Sequence, residues 1–467
     1  MDRFGSSEGK ILEHILDSLH QPRGLTYHLT VRGRGRLPSV YPVSDLATAS
    51  ISAASLALMS LIERRHGSKL EVSVDRALAS RWFKQSIYPV DWTLTPSWDE
   101  LAGDYQSSNG GIRLHTNAPA HRAAALRALG LSTAHKKLDR DLVAEAVSTW
   151  ESASLESEIV SQGGCAAEMR STRAWLDHPQ GRAVAREPLV AHERAGASTR
   201  SSRWAIDLLH PLRGVRVLDL TRILAGPVAT RFLAGCGADV LRIDPVDWNE
   251  PALAPEVTLG KRRARMDLRS RKGLKAFERL LAESDVLVHG YRCDALESLG
   301  LGPQRRRELN PGLVDVSLDA YGWSGPWATR RGFDSLVQMS CGIADTGMRV
   351  NAAGRPVPLP VQALDHATGY LLAAAVLKGL ANVLDDGHGG SFRTSLARTA
   401  LLLTNNCSSG ECSGEPLAEL MEQDFAASLE PTVWGSARRL KVPYAVDGVQ
   451  LEWALPAGNL GDSVATW

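Results

Sequence analysis

The sequence predicts an α/β protein in which a doubly wound, mostly parallel sheet is joined to a second, smaller α+β domain. Three observations point there. Beyond residue 211, short and nearly continuous apolar runs (GVRVLDL, DVLRID, DVLVHGY, GLVDVSLDAYG) alternate with helical patterns such as KGLKAFERLLAES. Such runs suit strands buried on both faces, and their alternation with helices is the pattern of right-handed crossovers. The chain has 467 residues, about three times the length of a typical domain, so two or three domains are expected. Its 44% hydrophobic and 22% charged residues suit a folded chain with a large core.

Taken in order, residues 1–35 read as an N-terminal extension with a short amphipathic helix, Ile11 to Leu19, and an arm rich in Arg and Gly. After Asp45 the chain is dense in Ala, Leu, Ile and Ser up to Gly67, the pattern of a buried helix with a glycine stop. KLEVSVDRALAS then alternates like a strand before turning helical. Residues 91–190 make the expected small domain. Residues 191–211, polar and aperiodic in AHERAGASTRSSR, read as a linker. The large domain comes next at 212–405, with a short C-terminal segment at 406–467. One unit occurs twice. Asp45–Ser80 aligns without a gap on Asp365–Ala400 at a constant offset of 320 residues, so 36–90 repeats 356–410. Asp45, Ala47, Thr48, Ala53, Ala54, Gly67 and Ala77 are identical in both copies.

Charge and composition exclude several classes. Fifty-three Lys plus Arg against 52 Asp plus Glu leave +1, so neither nucleic acid nor an anionic membrane is an expected partner. No apolar run is expected to reach the roughly 18 residues of a membrane span. The opening residues carry charges where a secretory signal needs its apolar stretch, so a soluble, cytoplasmic protein is expected. Cys165, Cys236, Cys293, Cys341, Cys407 and Cys412 form no CxxC pair and read as reduced structural thiols. His115 and His121 are separated by Asn and Pro, which breaks helical pairing, and no metal is expected. After VLDL a dinucleotide site needs GxGxxG, whereas TRILAGPVATR has one glycine, Gly226, before Pro227. A phosphate-binding Walker loop and the GxSxG nucleophile elbow are absent as well.

What remains is a series of strand ends and loops: LDLTRILAGP, GADVLRID, LGKRR, MDLRS, DVLVHGYRCD and GPWATRRGFDSLVQ, followed by ALDHATG. In this order and spacing they resemble the family III CoA-transferases (the CaiB/BaiF type, with the carnitine and formyl-CoA transferases). The resemblance covers about residues 212–400. Residues 40–185 resemble the later part of the same family, so the family order looks rotated and partly duplicated in this chain.

The resemblance implies a Rossmann-like large domain and CoA transfer between an acyl-CoA and a free carboxylic acid through an aspartyl-CoA thioester. It puts the nucleophile at Asp365. An ordinary carboxylate is ionised at neutral pH and needs no base to attack a thioester, and a helix start offers N–H groups to an oxyanion. The same position also suits a simple helix cap. Asp45 in the first copy reads as a cap, its neighbours being TAS instead of TGY. CoA contacts are implied at Ala225, Gly226, Pro227, Lys261, Arg262, Arg269, Tyr291 and Arg292; the dense basic run suits phosphates but equally a solvated edge. Asp334 and Gln338 are expected to order the loop beneath the thioester. The Asn and Pro of the family's N-F-R-P site are missing around Tyr291, and a cation that some members carry before LGL is Ser298 here. CoA or acyl-CoA is expected as substrate, with no permanently bound cofactor, and a homodimer is implied. The alternative is a catalytically impaired member that binds acyl-CoA or a partner subunit. Epimerase chemistry is disfavoured, because the family's racemase histidine is Phe333 here.

Overall fold

A computed structural model of the chain describes all residues except 1–5, 68, 133–137, 198–203, 205–206 and 408–413. The strands of the main sheet are, in chain order, β1 (Ala191–Ala197), β2 (Arg216–Leu220), β3 (Asp239–Asp244), β4 (Lys261–Arg265), β5 (Val286–His289), β6 (Val314–Asp319) and β7 (His388–Ser395). They lie side by side as β4-β3-β2-β5-β6-β7-β1, parallel throughout except that β1 runs antiparallel to β7 at one edge. Counted from β2, the parallel part has the order 3-2-1-4-5-6 of a dinucleotide-binding sheet. Its direction of winding reverses between β2 and β5, and ligands of such sheets bind in the crevice beyond the carboxyl ends at that point.

Residues 191–197 are thus an edge strand, where a linker was expected. They look like a linker because an edge strand contacts little apolar surface; besides the backbone ladder, Glu193 meets Arg393 and His192 stacks on Phe392 of β7. Within the rest of the expected linker, residues 198–203 and 205–206 lie outside the described residues, as does Cys412.

Among the helices that contribute to the core packed on this sheet are α1 (Val43–His66), α2 (Ala225–Gly235), α3 (Asp334–Ser340), α4 (Ala363–Asp386) and α5 (Leu396–Asn405). The duplication is structural. α1 and α4 each span 24 residues and each ends on a left-handed glycine, Gly67 (φ 66°) and Gly387 (φ 75°). Each is followed by a strand, Val72–Asp75 or β7, and then by a helix, Arg76–Trp82 or α5. The two long helices pack on each other at the centre of the core, where Ala and Ser leave room for close approach. Both are long and apolar enough to cross a membrane, contrary to expectation, but most of each is buried among other elements. A helix that is apolar all round is what a protein centre requires.

The small domain folds as a three-stranded antiparallel sheet, Gly103–Gln106, Gly111–Leu114 and Ala166–Glu168, with helices that include Pro119–Ala128 and Ser152–Ser161. The C-terminal segment ties the two halves together. Tyr444–Val446 pairs with Val72–Asp75, Gly435–Arg439 pairs with Ile87–Pro89, and the Trp453 indole donates to the Arg231 carbonyl at 2.9 Å.

Gly369 lies inside α4, so its role is packing and not an opening for substrate. A Cβ there would stand 2.5 Å from the Ala225 carbonyl oxygen and 2.8 Å from Val228 Cβ. Alanine normally gains about 1 kcal/mol over glycine inside a helix. Here the clash is with backbone and outweighs that gain. Gly369→Ala is expected to destabilise by about 1–3 kcal/mol, read as a lower urea midpoint at unchanged slope.

Candidate active site

Asp365 occupies the first turn of α4 and is 7% exposed. Its backbone N–H donates to Asp334 Oδ2 at 2.8 Å. Gln338, one turn further along α3, donates its amide to the other Asp334 oxygen and accepts the Leu359 N–H at 2.7 Å. Asp334 and Gln338 therefore fasten the chain that leads into α4, and both are fully buried.

No cation pairs with Asp365 or Asp334 among the described residues. Burial first, and the Asp334 charge second, raise the Asp365 carboxyl well above its usual range. Burial likewise pushes Asp334 up to about 6, against the Asp365 and Leu364 N–H groups and the Gln338 amide, which favour its anion. The two groups together retain a proton at pH values where an isolated carboxylate has lost it. The expectation of a freely ionised Asp365 is corrected accordingly.

The first copy resolves the same problem differently. Asp45 Oδ1 lies 2.5 Å from Arg76, which also holds Glu8 at 2.7 Å. The position equivalent to Arg76 in the second copy is Leu396, and Leu396 lines a cavity that reaches Asp365. Where the duplicated unit has a guanidinium over its aspartate, the other has an alkyl side chain and open space.

Two cavities meet at Asp365. One, of about 390 Å³, lies at the reversal point of the sheet and is lined by Thr221 after β2, Tyr291 and Arg292 after β5, and Asp319 at the end of β6, together with Arg222 and Arg331. The other, of about 260 Å³, is walled by Trp98, His115 and Asn117 of the small domain facing Leu224, Phe333 and Val361. Residues 91–190 therefore close the site from within the same chain. His115 stacks on Phe333 with ring centroids 3.8 Å apart, and burial takes its pKa down to about 3, so it is a neutral wall.

Ile223 borders both cavities at φ 65°. A β-branched residue in the left-handed region is a strained conformation of the kind that collects at functional sites. Its N–H is held by Glu250 Oε2 at 2.9 Å, and Glu250 is in turn gripped by the buried Arg242.

The expected CoA contacts divide. Ala225, Tyr291 and Arg292 line the larger cavity. Gly226 and Pro227 lie in the first turn of α2 behind it, and a Cβ on Gly226 would run into the Thr221 side chain. The basic run is elsewhere. Lys261 is wholly buried, 3.1 Å from Asp219, and burial lowers it to about 8. Arg262 pairs with Asp239 at 2.7 Å, and Arg269 lies in solvent beside Asp267. None of the three lines either cavity. Strand β4 alternates faces, so Lys261 and Arg262 diverge and meet different carboxylates distant in sequence. Arg222 and Arg331, which the sequence reading passed over, stand in their place. Arg222 lies 4.9 Å over the Trp248 ring and 5.1 Å over that of Tyr291, and donates to the Tyr291 hydroxyl at 2.9 Å. Both arginines are inside the quoted motifs, whereas His115 and Asn117 had no signal beyond their type.

This geometry has two measurable consequences. Lys261→Met leaves Asp219 buried without its cation and is expected to destabilise by about 3–5 kcal/mol, measured by urea unfolding. The carboxyl pair binds more protons folded than unfolded between about pH 4 and the raised values. Its contribution to stability therefore falls as pH rises through that window. Asp365→Asn is expected to gain on the parent protein by on the order of 1–3 kcal/mol between pH 4 and pH 7. Unfolding midpoints at both pH values check this.

Comparison with known proteins adds an independent finding. The model of CoA-transferase family III matches residues 212–427. A probable fatty acyl-CoA transferase, Rv3272 of Mycobacterium tuberculosis, is 35% identical over 184 residues, 36% of this chain and 46% of its own length. Human succinyl-CoA:glutarate CoA-transferase is 29% identical over 249 residues, 50% of this chain and 53% of its own. A crystal structure of Rv3272 is 33% identical, with 42% of this chain and 57% of that one covered, at a TM-score of 0.40. The chain spans about half the length of the curated relatives it matches. The similarity to CoA-transferase family III thus covers residues 212–427, the stretch that carries β2 to β7, Asp334 and Asp365.

Proposed function

We propose that the chain transfers CoA between an acyl-CoA and a free carboxylic acid, with Asp365 as nucleophile. The observation that carries this reading is a carboxyl group without a cation at the meeting point of two cavities, one bordered by Arg222, Arg292 and Arg331 and one mostly apolar. Arginine forks suit the phosphates of CoA, so the larger cavity takes the CoA body and the smaller the acyl group.

An ionised Asp365 oxygen attacks the thioester carbonyl, the C–S bond breaks, and a mixed anhydride and CoA thiolate result. The thiolate attacks the Asp365 carbonyl carbon, which releases the first acid as carboxylate and leaves an aspartyl-CoA thioester. The acceptor carboxylate attacks that thioester, and the freed thiolate then takes the acceptor acyl group and restores Asp365. A raised pKa favours this chemistry once the proton is gone, because a more basic oxygen is the better nucleophile. The N-terminal end of α4 offers N–H groups to the developing oxyanion.

The homodimer implied by the family resemblance would leave this site unaltered, since its small-domain wall is supplied in cis. The relatives named for fatty acyl groups and for succinate and glutarate bracket the acids to test.

Asp365→Ala is expected to lower transfer by about three orders of magnitude or more, and hydroxylamine is expected to trap Asp365 as its hydroxamate after incubation with acyl-CoA. Asp334→Asn removes the neighbouring charge, so the acid limb of the rate profile is expected to move to lower pH. Transfer at the full rate in Asp365→Ala would sink the reading. CoA binding without exchange of labelled acyl groups across the acid panel would leave the binding-subunit alternative standing.

A further inference from the structure

Asp319 ends β6 and borders the larger cavity, yet neither the catalytic steps nor the packing of the sheet uses it. Its Oδ1 accepts the Gly322 N–H at 2.7 Å. Its Oδ2 is shut off from water and has no partner among the described residues. Arg222, Arg292 and Arg331 line the same cavity without pairing with it: Arg222 is committed to Tyr291, and Arg292 donates to the Thr329 carbonyl at 3.2 Å. A buried polar oxygen without a partner costs roughly 1–3 kcal/mol, and such a group beside a ligand cavity is satisfied when the ligand arrives. The terminal torsion of an aspartate is soft, so either oxygen can face the cavity while the other keeps Gly322.

We propose that Asp319 is a ligand-contacting residue whose carboxyl proton is donated to an amide carbonyl oxygen on the arm of a bound CoA thioester. The inference rests on the reading of the larger cavity as the CoA side. A neutral acid suits the place, because a charged carboxylate would stand against a polyanion that the neighbouring arginines attract. The surroundings keep it neutral. Burial, with Glu187 adding to it, pushes Asp319 up to about 8, against the Gly322 N–H and the more distant Arg393. A further titratable neighbour is Cys293, whose thiol donates to the Ala328 carbonyl at 3.5 Å, and His121, Tyr291 and Asp365 line the same cavity. The arm of CoA is a chain of amides, and a carbonyl oxygen there offers the acceptor that an un-ionised acid needs.

Calorimetric titration with acetyl-CoA tests this in full-length protein carrying Asp365→Asn, so that neither turnover nor the carboxyl pair intrudes. In that background the affinity is expected to weaken above about pH 8, because ionisation removes the donor and adds a negative charge. Asp319→Leu is expected to weaken binding about tenfold at pH 7 and to abolish the alkaline dependence. Asp319→Asn has the same size, keeps an oxygen for Gly322 and presents a non-titrating N–H. It is expected to bind within about threefold of the background at pH 7 and to stay level to pH 9, which separates lost contact from lost folding. Binding that Asp319→Leu leaves unchanged, or that tightens above pH 8 with Asp319 present, overturns the assignment of Asp319 alone. Failure of acetyl-CoA to bind the background protein at pH 7 overturns the reading of the cavity and this inference with it.

Discussion

Two carboxyl groups buried against each other without a cation are the constraint on which this site depends. Asp334 and Asp365 sit where each raises the other's cost of ionisation, and the groups that favour an anion act on Asp334: the Asp365 and Leu364 N–H groups, the Gln338 amide and the charge of Arg113. Such a pair is a local loss of stability that a protein retains only where the surroundings hold it in place. The surroundings do hold it. Gln338 fastens Leu359, Gly369 lets α4 rest on the carbonyl of Ala225, and Glu250 pins Ile223 in its left-handed conformation. The first copy of the duplicated unit shows what the same backbone does without that demand, since Arg76 covers Asp45.

The duplication also explains how one chain builds both walls. The helix α1 belongs to one copy of the unit, with the small domain following that copy in the chain, and α4 with β7 belongs to the other. Because α1 and α4 pack together, the small domain attached to the first is carried over the aspartate of the second. Arg330 secures it there, donating to Glu156 and to the Ala166 carbonyl of the small domain at 2.9 and 2.8 Å while its guanidinium stacks on Trp327. A site between two bodies joined by one core has its geometry set by helix packing, not by a loop.

How much was legible in the sequence depends on the range of the forces involved. The long helices, their glycine stops and the strands after them are local, and the fixed offset between the copies located each to within a turn. The parallel strands showed as runs without alternation, and their order is constrained once each crossover is right-handed. Partner choice across the fold was not local, and there the reading failed. Lys261 and Arg262 looked like one basic patch, but adjacent positions on a strand point to opposite faces, and Asp219 and Asp239 claimed them. The edge strand β1 looked like a linker because its partners, the β7 backbone, Arg393 and Phe392, lie about 200 residues further along the chain. His115 and Asn117 have no sequence relation to Asp365 beyond the fold that brings them to it.

The electrostatics of the two cavities bear on when Asp365 loses its proton. A polyanion entering beside Arg222, Arg292 and Arg331 brings negative charge toward the aspartate, which by itself would raise its pKa further. Ionisation is therefore best served when those phosphates stay away from the carboxyl, whose cavity is walled on one side by the neutral His115 and Phe333. Distance favours this arrangement. The phosphates of CoA are at the far end of a long arm, and charges beyond a Debye length of about 8 Å are weakly felt through solvent. On the proposed reading, a protonated Asp319 along that arm adds no charge of its own between the arginines and Asp365. The cations can then attract the substrate without quenching the carboxylate, which is the separation the Arg76–Asp45 pair forecloses in the other copy.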